Sequence, residues 1–174
     1  KGEFVGNVNV TGEHNDFVVA LNGKSQRLSS GDFHVRNLIF DGNVDTASEN
    51  IMFTAVADTL RFVKALKPSR QCIVDFNGSL EKHELVFNCG GDTSGFMSLV
   101  GNYDKENSKW HGAVNEFFIS NPLSGAISLQ KPLIVDINTA SMEGNVSAFN
   151  LSGDDIGTIA VSPTIFGPKE VKSA

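Results

Sequence analysis

The chain has 174 residues, 40% of them hydrophobic, and a formal net charge of −6. That is enough apolar material for a core, which excludes a disordered tail, and no apolar run approaches the roughly eighteen residues of a membrane-spanning helix. The acidic balance argues against a nucleic-acid binder and against electrostatic docking onto anionic lipid headgroups.

The length fits a single β-domain over residues 1–174, or one continuous piece of a longer protein. The chain opens on Lys1 without an initiator Met or a signal peptide, as expected of a processed or excised segment. Thirteen Phe stand against one Tyr and one Trp. Sugar and nucleobase sites lean on the polar tips of Tyr and Trp. Phe offers dry surface instead, either to the protein's own core or to an apolar ligand.

From the N-terminus onward, apolar and polar residues alternate in short runs bounded by Gly, Asn, Asp and Ser, which predicts strands and tight turns. Cross-strand partners must share a side of the sheet, so apolar faces can be matched to set register. Over Phe4–Gly23 the match pairs Val10 with Phe17, Val8 with Val19 and Gly6 with Leu21. Leu38, Phe40 and Val44 alternate next, and the second hairpin pairs Val44 with Ile51, Gly42 with Phe53 and Phe40 with Ala55. The segment Ile51–Leu66 holds helix-forming Ala, Leu and Lys, but Ile51, Phe53, Ala55 and Ala57 alternate, and it reads as strand. A hairpin turning at Ser79–Lys82 then pairs Phe76 with Leu85, Val74 with Phe87 and Cys72 with Cys89. One disulfide and two buried free thiols both fit that register. Further on, Tyr103 pairs with Trp110, Gly101 with Gly112 and Leu99 with Val114, and Leu133, Val135 and Ile137 alternate last.

A Gly-Asn pair recurs on the first strand of three hairpins, at Gly6-Asn7, Gly42-Asn43 and Gly101-Asn102, and Gly144-Asn145 opens a further unit. The spacing is unequal. This is a degenerate hairpin repeat, which points to a stacked, extendable sheet rather than a compact enzyme.

No nucleophile elbow, phosphate loop or dinucleotide fingerprint is present, and no acid–base pair emerges, so no catalytic residue and no cofactor is expected. His14, His34, His83 and His111 are scattered; His83-Glu84 with His111 is a weak metal candidate beside the simpler reading of solvated histidines. Asn102, Asp104 and Glu106 alternate like calcium ligands but lack the loop Gly and final Glu, which leaves a polar hairpin turn. Sequons at Asn9, Asn77, Asn145 and Asn150 say little in a chain so rich in Asn, Ser and Thr.

One apolar face runs through Val8, Val19, Phe40, Phe53, Val74, Phe76, Leu85, Phe87, Leu99 and Val114. Two readings of it stay open. It is the filled core of a sandwich or closed β-barrel, or it is the concave side of an open, curved antiparallel sheet that takes acyl chains. At about 0.8 kcal/mol per buried methylene, a shielded chain of about sixteen carbons gains on the order of 10 kcal/mol.

The stretch Ser69–Asn138 carries a particular order of elements. A Gly-ending strand, Val74-Asp75-Phe76-Asn77-Gly78, is followed by a His-led one, His83-Glu84-Leu85-Val86-Phe87. Next come Leu99-Val100-Gly101-Asn102-Tyr103-Asp104 and Trp110-His111-Gly112-Ala113-Val114. Asn121-Pro122-Leu123 leads to Ile127-Ser128-Leu129 and Pro132-Leu133. Upstream, Phe33-His34-Val35-Arg36-Asn37-Leu38 leads to Phe40-Asp41-Gly42-Asn43-Val44 in the same rhythm. This order resembles the TamB family of translocation and assembly module subunits, part of the AsmA-like and bridge-like lipid-transfer proteins. The Gly-x-Trp that members often carry near Gly125–Ile127 is missing, and the cysteines stand outside the shared pattern.

The resemblance implies an elongated, β-taco-like trough within a very long periplasmic protein of a Gram-negative bacterium, anchored in the inner membrane by a helix outside this segment. It implies a hydrophobic groove for phospholipid transport to the outer membrane, and a part in protein secretion through assembly of autotransporters and other outer-membrane proteins. The implied partners are phospholipid acyl chains or unfolded β-strand clients, with the outer-membrane protein TamA reached through a region outside this segment. An oxidising compartment favours a Cys72–Cys89 bridge. The alternatives are a lipocalin-like or surface-lipoprotein barrel binding a small apolar ligand, and an adhesin-like solenoid, which calls for more even repeats.

Overall fold

The computed structural model describes residues 2–13, 16–62, 67–123 and 125–167. Among the described residues fourteen strands form one antiparallel sheet. The first eight are β1 (Val5–Glu13), β2 (Asp16–Ser30), β3 (Phe33–Asp45), β4 (Asn50–Arg61), β5 (Ser69–Gly78), β6 (Lys82–Gly90), β7 (Ser94–Asp104) and β8 (Lys109–Asn121), each paired with the next. Shorter strands follow: β9 (Gly125–Leu129), β10 (Leu133–Asn138), β11 (Glu143–Val146), β12 (Phe149–Gly153), β13 (Gly157–Val161) and β14 (Thr164–Phe166). Among the described residues no helix is long and apolar enough to cross a membrane.

The sheet forks at β8. Its first half pairs with β10 and its second half with β9. One branch continues through β11 to β14, the other through β12 to β13. The meander therefore never stops: β9/β10, β11/β12 and β13/β14 are three long strands, each interrupted in the middle. Pro132 and Pro163 lie in two of these interruptions, where they have no N–H to give a ladder. At the third, Ser147 satisfies the freed groups. Its N–H donates to the Ile134 carbonyl at 2.9 Å, and its hydroxyl accepts from Ile134 N at 3.0 Å. The line of breaks continues into β8, where Ser98 faces Glu116 but Leu99 faces Val114, leaving Asn115 over as a bulge.

A second crease crosses β2–β5. Ser25, Leu38, Ala57 and Cys72 form one cross-strand row, and Arg27, Arg36, Thr59 and Arg70 form another, while the row between them (Gln26, Asn37, Asp58, Gln71) drops out of register. Asn37 and Gln71 hold φ of 49° and 50°, and the Asn37 amide donates to Asp58 at 2.7 Å. Side-chain parity flips there, so Leu28, Val35, Leu60 and Ser69 take over the inner face beyond the crease. The most deeply buried apolar residues gather on that seam: Val35, Ala57, Leu60, and Cys72 joined to Cys89 by a disulfide.

The second hairpin, the cysteine hairpin and the Tyr103–Trp110 hairpin pair as the sequence predicts. The first does not. Val10 faces Val19, Val8 faces Leu21, Gly6 faces Gly23, and Phe17 lies opposite Gly12. This is a slip of two residues, which keeps every side chain on its expected face. The pairing continues to Glu13–Asp16. The segment expected as strand from Ile51 is β4 as far as Arg61; Val63–Leu66 lie outside the described residues. The alternative of a closed barrel is overturned, because β1 and β14 end the sheet as separate edges that do not pair.

Candidate functional site

Cross-strand pairing carries the apolar residues of the hairpins into continuous transverse rows. One row reads Val8, Leu21, Gly42, Phe53, Phe76, Leu85, Leu99, Val114 and Leu133. A second reads Gly23, Phe40, Ala55, Val74, Phe87 and Met97. A third holds Val10, Val19, Val44 and Ile51, and on the far side Gly101, Gly112, Val135 and Val146. All ten residues of the face expected from sequence lie in these rows, on one side of the sheet. Leu133 and Val135 extend the face across β10; sequence reasoning noted their alternation but had no register to join them to it.

Among the described residues nothing covers this face. Phe40, Phe53, Val74, Phe76, Leu85, Phe87, Leu99 and Val114 are half-buried, and among the described residues no large side chain is fully enclosed. Val8, on the edge strand, is 71% exposed. In a single-layer sheet, a difference in exposure between the two faces reports curvature. On β3, Ile39 is 60% exposed while its neighbours Leu38 and Phe40, on the other face, are half-buried. On β4, Met52 is 49% exposed against half-buried Ile51 and Phe53. The apolar rows are therefore the concave side of an open, curved sheet.

The recurring Gly-Asn pair has a physical reason here. Its glycine faces inward, and an aromatic ring from a nearby position lies over it: Phe4 over Gly6, Phe53 over Gly42, Trp110 over Gly101 and Phe166 over Gly144. A Cβ at Gly42 would meet the Phe53 ring at 3.1 Å, and one at Gly101 the indole at 2.8 Å. Flat rings in these gaps keep the trough smooth. Phe4 stacks on Phe40 with centroids 5.0 Å apart, and Phe40 on Phe53 at 5.9 Å. His83 lies between Phe76 and Trp110, at 5.5 Å and 6.2 Å.

The apolar rows hold no charged residue; charge lies on the opposite face and in the turns. Three hairpin turns share one design, in which Asp45, Asp104 or Asn138 accepts backbone N–H groups two or three residues on. Each turn closes with a left-handed residue: Glu49, Ser108 and Met142 have φ of 52°, 52° and 58°. Hydrogen bonds from the Ser48 side chain and backbone hold the Asp45 carboxyl below its ordinary range, and those from Asn107 do the same for Asp104. Lys105 bridges Glu81 at 3.2 Å and Glu49 at 3.7 Å, which raises its pKa and ties three neighbouring turns into one rim. The candidate pairing of His83 with His111 does not form. His83 faces into the trough, while His111 is on the opposite face paired with Asp136, so the two cannot share a metal. His14 lies outside the described residues. Among the described residues no group of three or more His, Cys, Asp or Glu is placed to hold a metal ion.

No curated protein and no solved structure matches the chain. Residues 1–155 match the family model described as the TamB N-terminal domain. With most of its length inside that match, this chain belongs to the TamB family.

Proposed function

We propose that the concave face is a lane for phospholipid acyl chains, in a periplasmic protein that serves outer-membrane biogenesis. The observation that carries the reading is the uncovered set of apolar rows, the longest of which runs from Val8 to Leu133 across β1–β8 and β10 without a polar side chain. A single layer cannot bury those rows by itself, and at about 25 cal/mol per Å2 the exposed apolar area is a standing free-energy gain for any chain that covers it. An open trough shields a tail on one side only, which holds it yet lets it slide. The protein acts without catalysis in this reading, and inner-membrane anchoring and contact with TamA belong to regions outside this chain.

A second reading rests on β1. All of Val5–Glu13 is exposed, and among the described residues no strand pairs with its outer edge, next to Val5, Val8 and Val10. Such an edge suits an unfolded client strand by β-augmentation. Photo-crosslinkers separate the two. Placed at Phe76 and Phe87 they should trap lipid; placed at Asn7 and Asn9 on β1 they should trap protein if the edge templates clients. Failure of Phe76 and Phe87 probes to capture any lipid would sink the lane.

A further inference from the structure

All four arginines of the chain, Arg27, Arg36, Arg61 and Arg70, line one open depression of about 840 Å3 on the face opposite the apolar rows. The crease puts them there. Arg27 stands directly across from Arg36, Arg36 across from Thr59, and Thr59 across from Arg70; Arg61 faces His34 two rows further on. Like charges directly opposite on a sheet repel. Among the described residues no ion pair relieves them, although Lys67 and Lys105 both have acidic partners. Among the described residues the one carboxylate lining the depression, Asp58, is held by the Asn37 amide. His34, which also lines the depression, keeps its Nδ1 buried with no hydrogen-bond partner among the described residues.

We propose that this depression is a binding site for a phosphate group, carried by a lipid headgroup or free in solution. A guanidinium is charged at every relevant pH and meets an oxyanion with a two-pronged fork. One fork saturates a planar carboxylate, whereas several converging forks match the tetrahedral oxygens of a phosphate. The net charge of −6 speaks against attraction at long range. Inside about one Debye length, roughly 8–10 Å, the four local charges decide. The site is on the other face from the lane, so either assignment can fail without the other.

The test follows the arginine Nε–H resonances of the labelled protein as inorganic phosphate is added against sodium chloride at matched ionic strength. In parallel, the protein is floated with phosphatidylglycerol vesicles. Saturable shifts with phosphate alone assign a free anion; flotation that phosphate competes away assigns a headgroup. Either supports the site, provided that Arg36→Gln with Arg70→Gln weakens binding by about tenfold or more. Both side chains are exposed and mutually repelled, so the variant should melt no lower than the parent; Arg27→Gln alone serves as a second, milder variant. No response beyond that to chloride together with no flotation, or binding that survives in both variants, overturns the proposal.

Discussion

The indole of Trp110 on β8 donates its Nε1–H to Nε2 of His83 on β6 at 3.0 Å, reaching over β7 where Gly101 leaves room. An indole nitrogen only donates, so His83 Nε2 accepts and its proton sits on Nδ1, facing the Ser79 carbonyl at 3.2 Å. Three strands are thus clamped on the trough side by one ring pair.

Gly101→Ala should break that clamp, because its Cβ would meet the indole at 2.8 Å and the imidazole closer still. Overpacking of this kind costs about 1–3 kcal/mol. Gly90→Ala is the matched control, with its nearest atom 3.6 Å away, and should change stability by less than about 0.5 kcal/mol. Urea melts of the two variants check this; equal midpoints would contradict the clamp.

The Cys72–Cys89 bridge closes a loop with a sequence separation of 17. Loop-closure entropy makes such a bridge worth about 3 kcal/mol. The bridged pair also belongs to the small buried cluster with Val35, Ala57 and Leu60. Cys72→Ala with Cys89→Ala is expected to lose about that much in urea denaturation. The denatured parent protein, without reductant, should yield no free thiol in a colorimetric count.

Register was legible where an aromatic sits over a glycine, as Phe53 over Gly42 and Trp110 over Gly101, because only one alignment fills the gap. It was not legible in the first hairpin. Val8, Val10, Phe17, Val19 and Leu21 are interchangeable at a period of two, and a two-residue slip conserves the faces. The crease at Gln26, Asn37, Asp58 and Gln71 left no signal, since the left-handed Asn37 and Gln71 look like any other polar strand positions. The arginine cluster escaped for a related reason. Net charge averages over the chain, and only the crease brings Arg27, Arg36 and Arg70 into one row. The broken strands after β8 hid the fork, because alternation over Leu133, Val135 and Ile137 marks a strand without showing which half of β8 it joins.

The turns predict an acid response. Asp45 and Asp104 are held below the ordinary carboxylate value of 3.8 by hydrogen bonds to Ser48 and Asn107. Their stabilisation is therefore complete above that value and is lost as pH falls through the lowered folded values. Asn138 performs the same capping with an amide oxygen and no charge. Asp45→Asn with Asp104→Asn should then keep the turns while flattening the decline in stability below about pH 4. Urea midpoints at neutral pH and at about pH 3 would show it; a variant as acid-sensitive as the parent would contradict it.

Leu85 is central to the longest apolar row, between Phe76 and Leu99, while its neighbour Val86 points to the other face between Asp75 and Ser98. The sheet has one layer, so a charge at either position stays hydrated and the fold should tolerate both Leu85→Asp and Val86→Asp. The lane should not. A carboxylate in the middle of the row must be desolvated by any acyl chain that crosses it, at a cost of several kcal/mol, against about 0.8 kcal/mol gained per methylene. Leu85→Asp is thus expected to reduce the lipid that co-purifies with the protein at least severalfold by mass spectrometry, and Val86→Asp to leave it unchanged. Equal losses would mean that lipid recognises the sheet as a whole; equal retention would mean that it does not travel along this row.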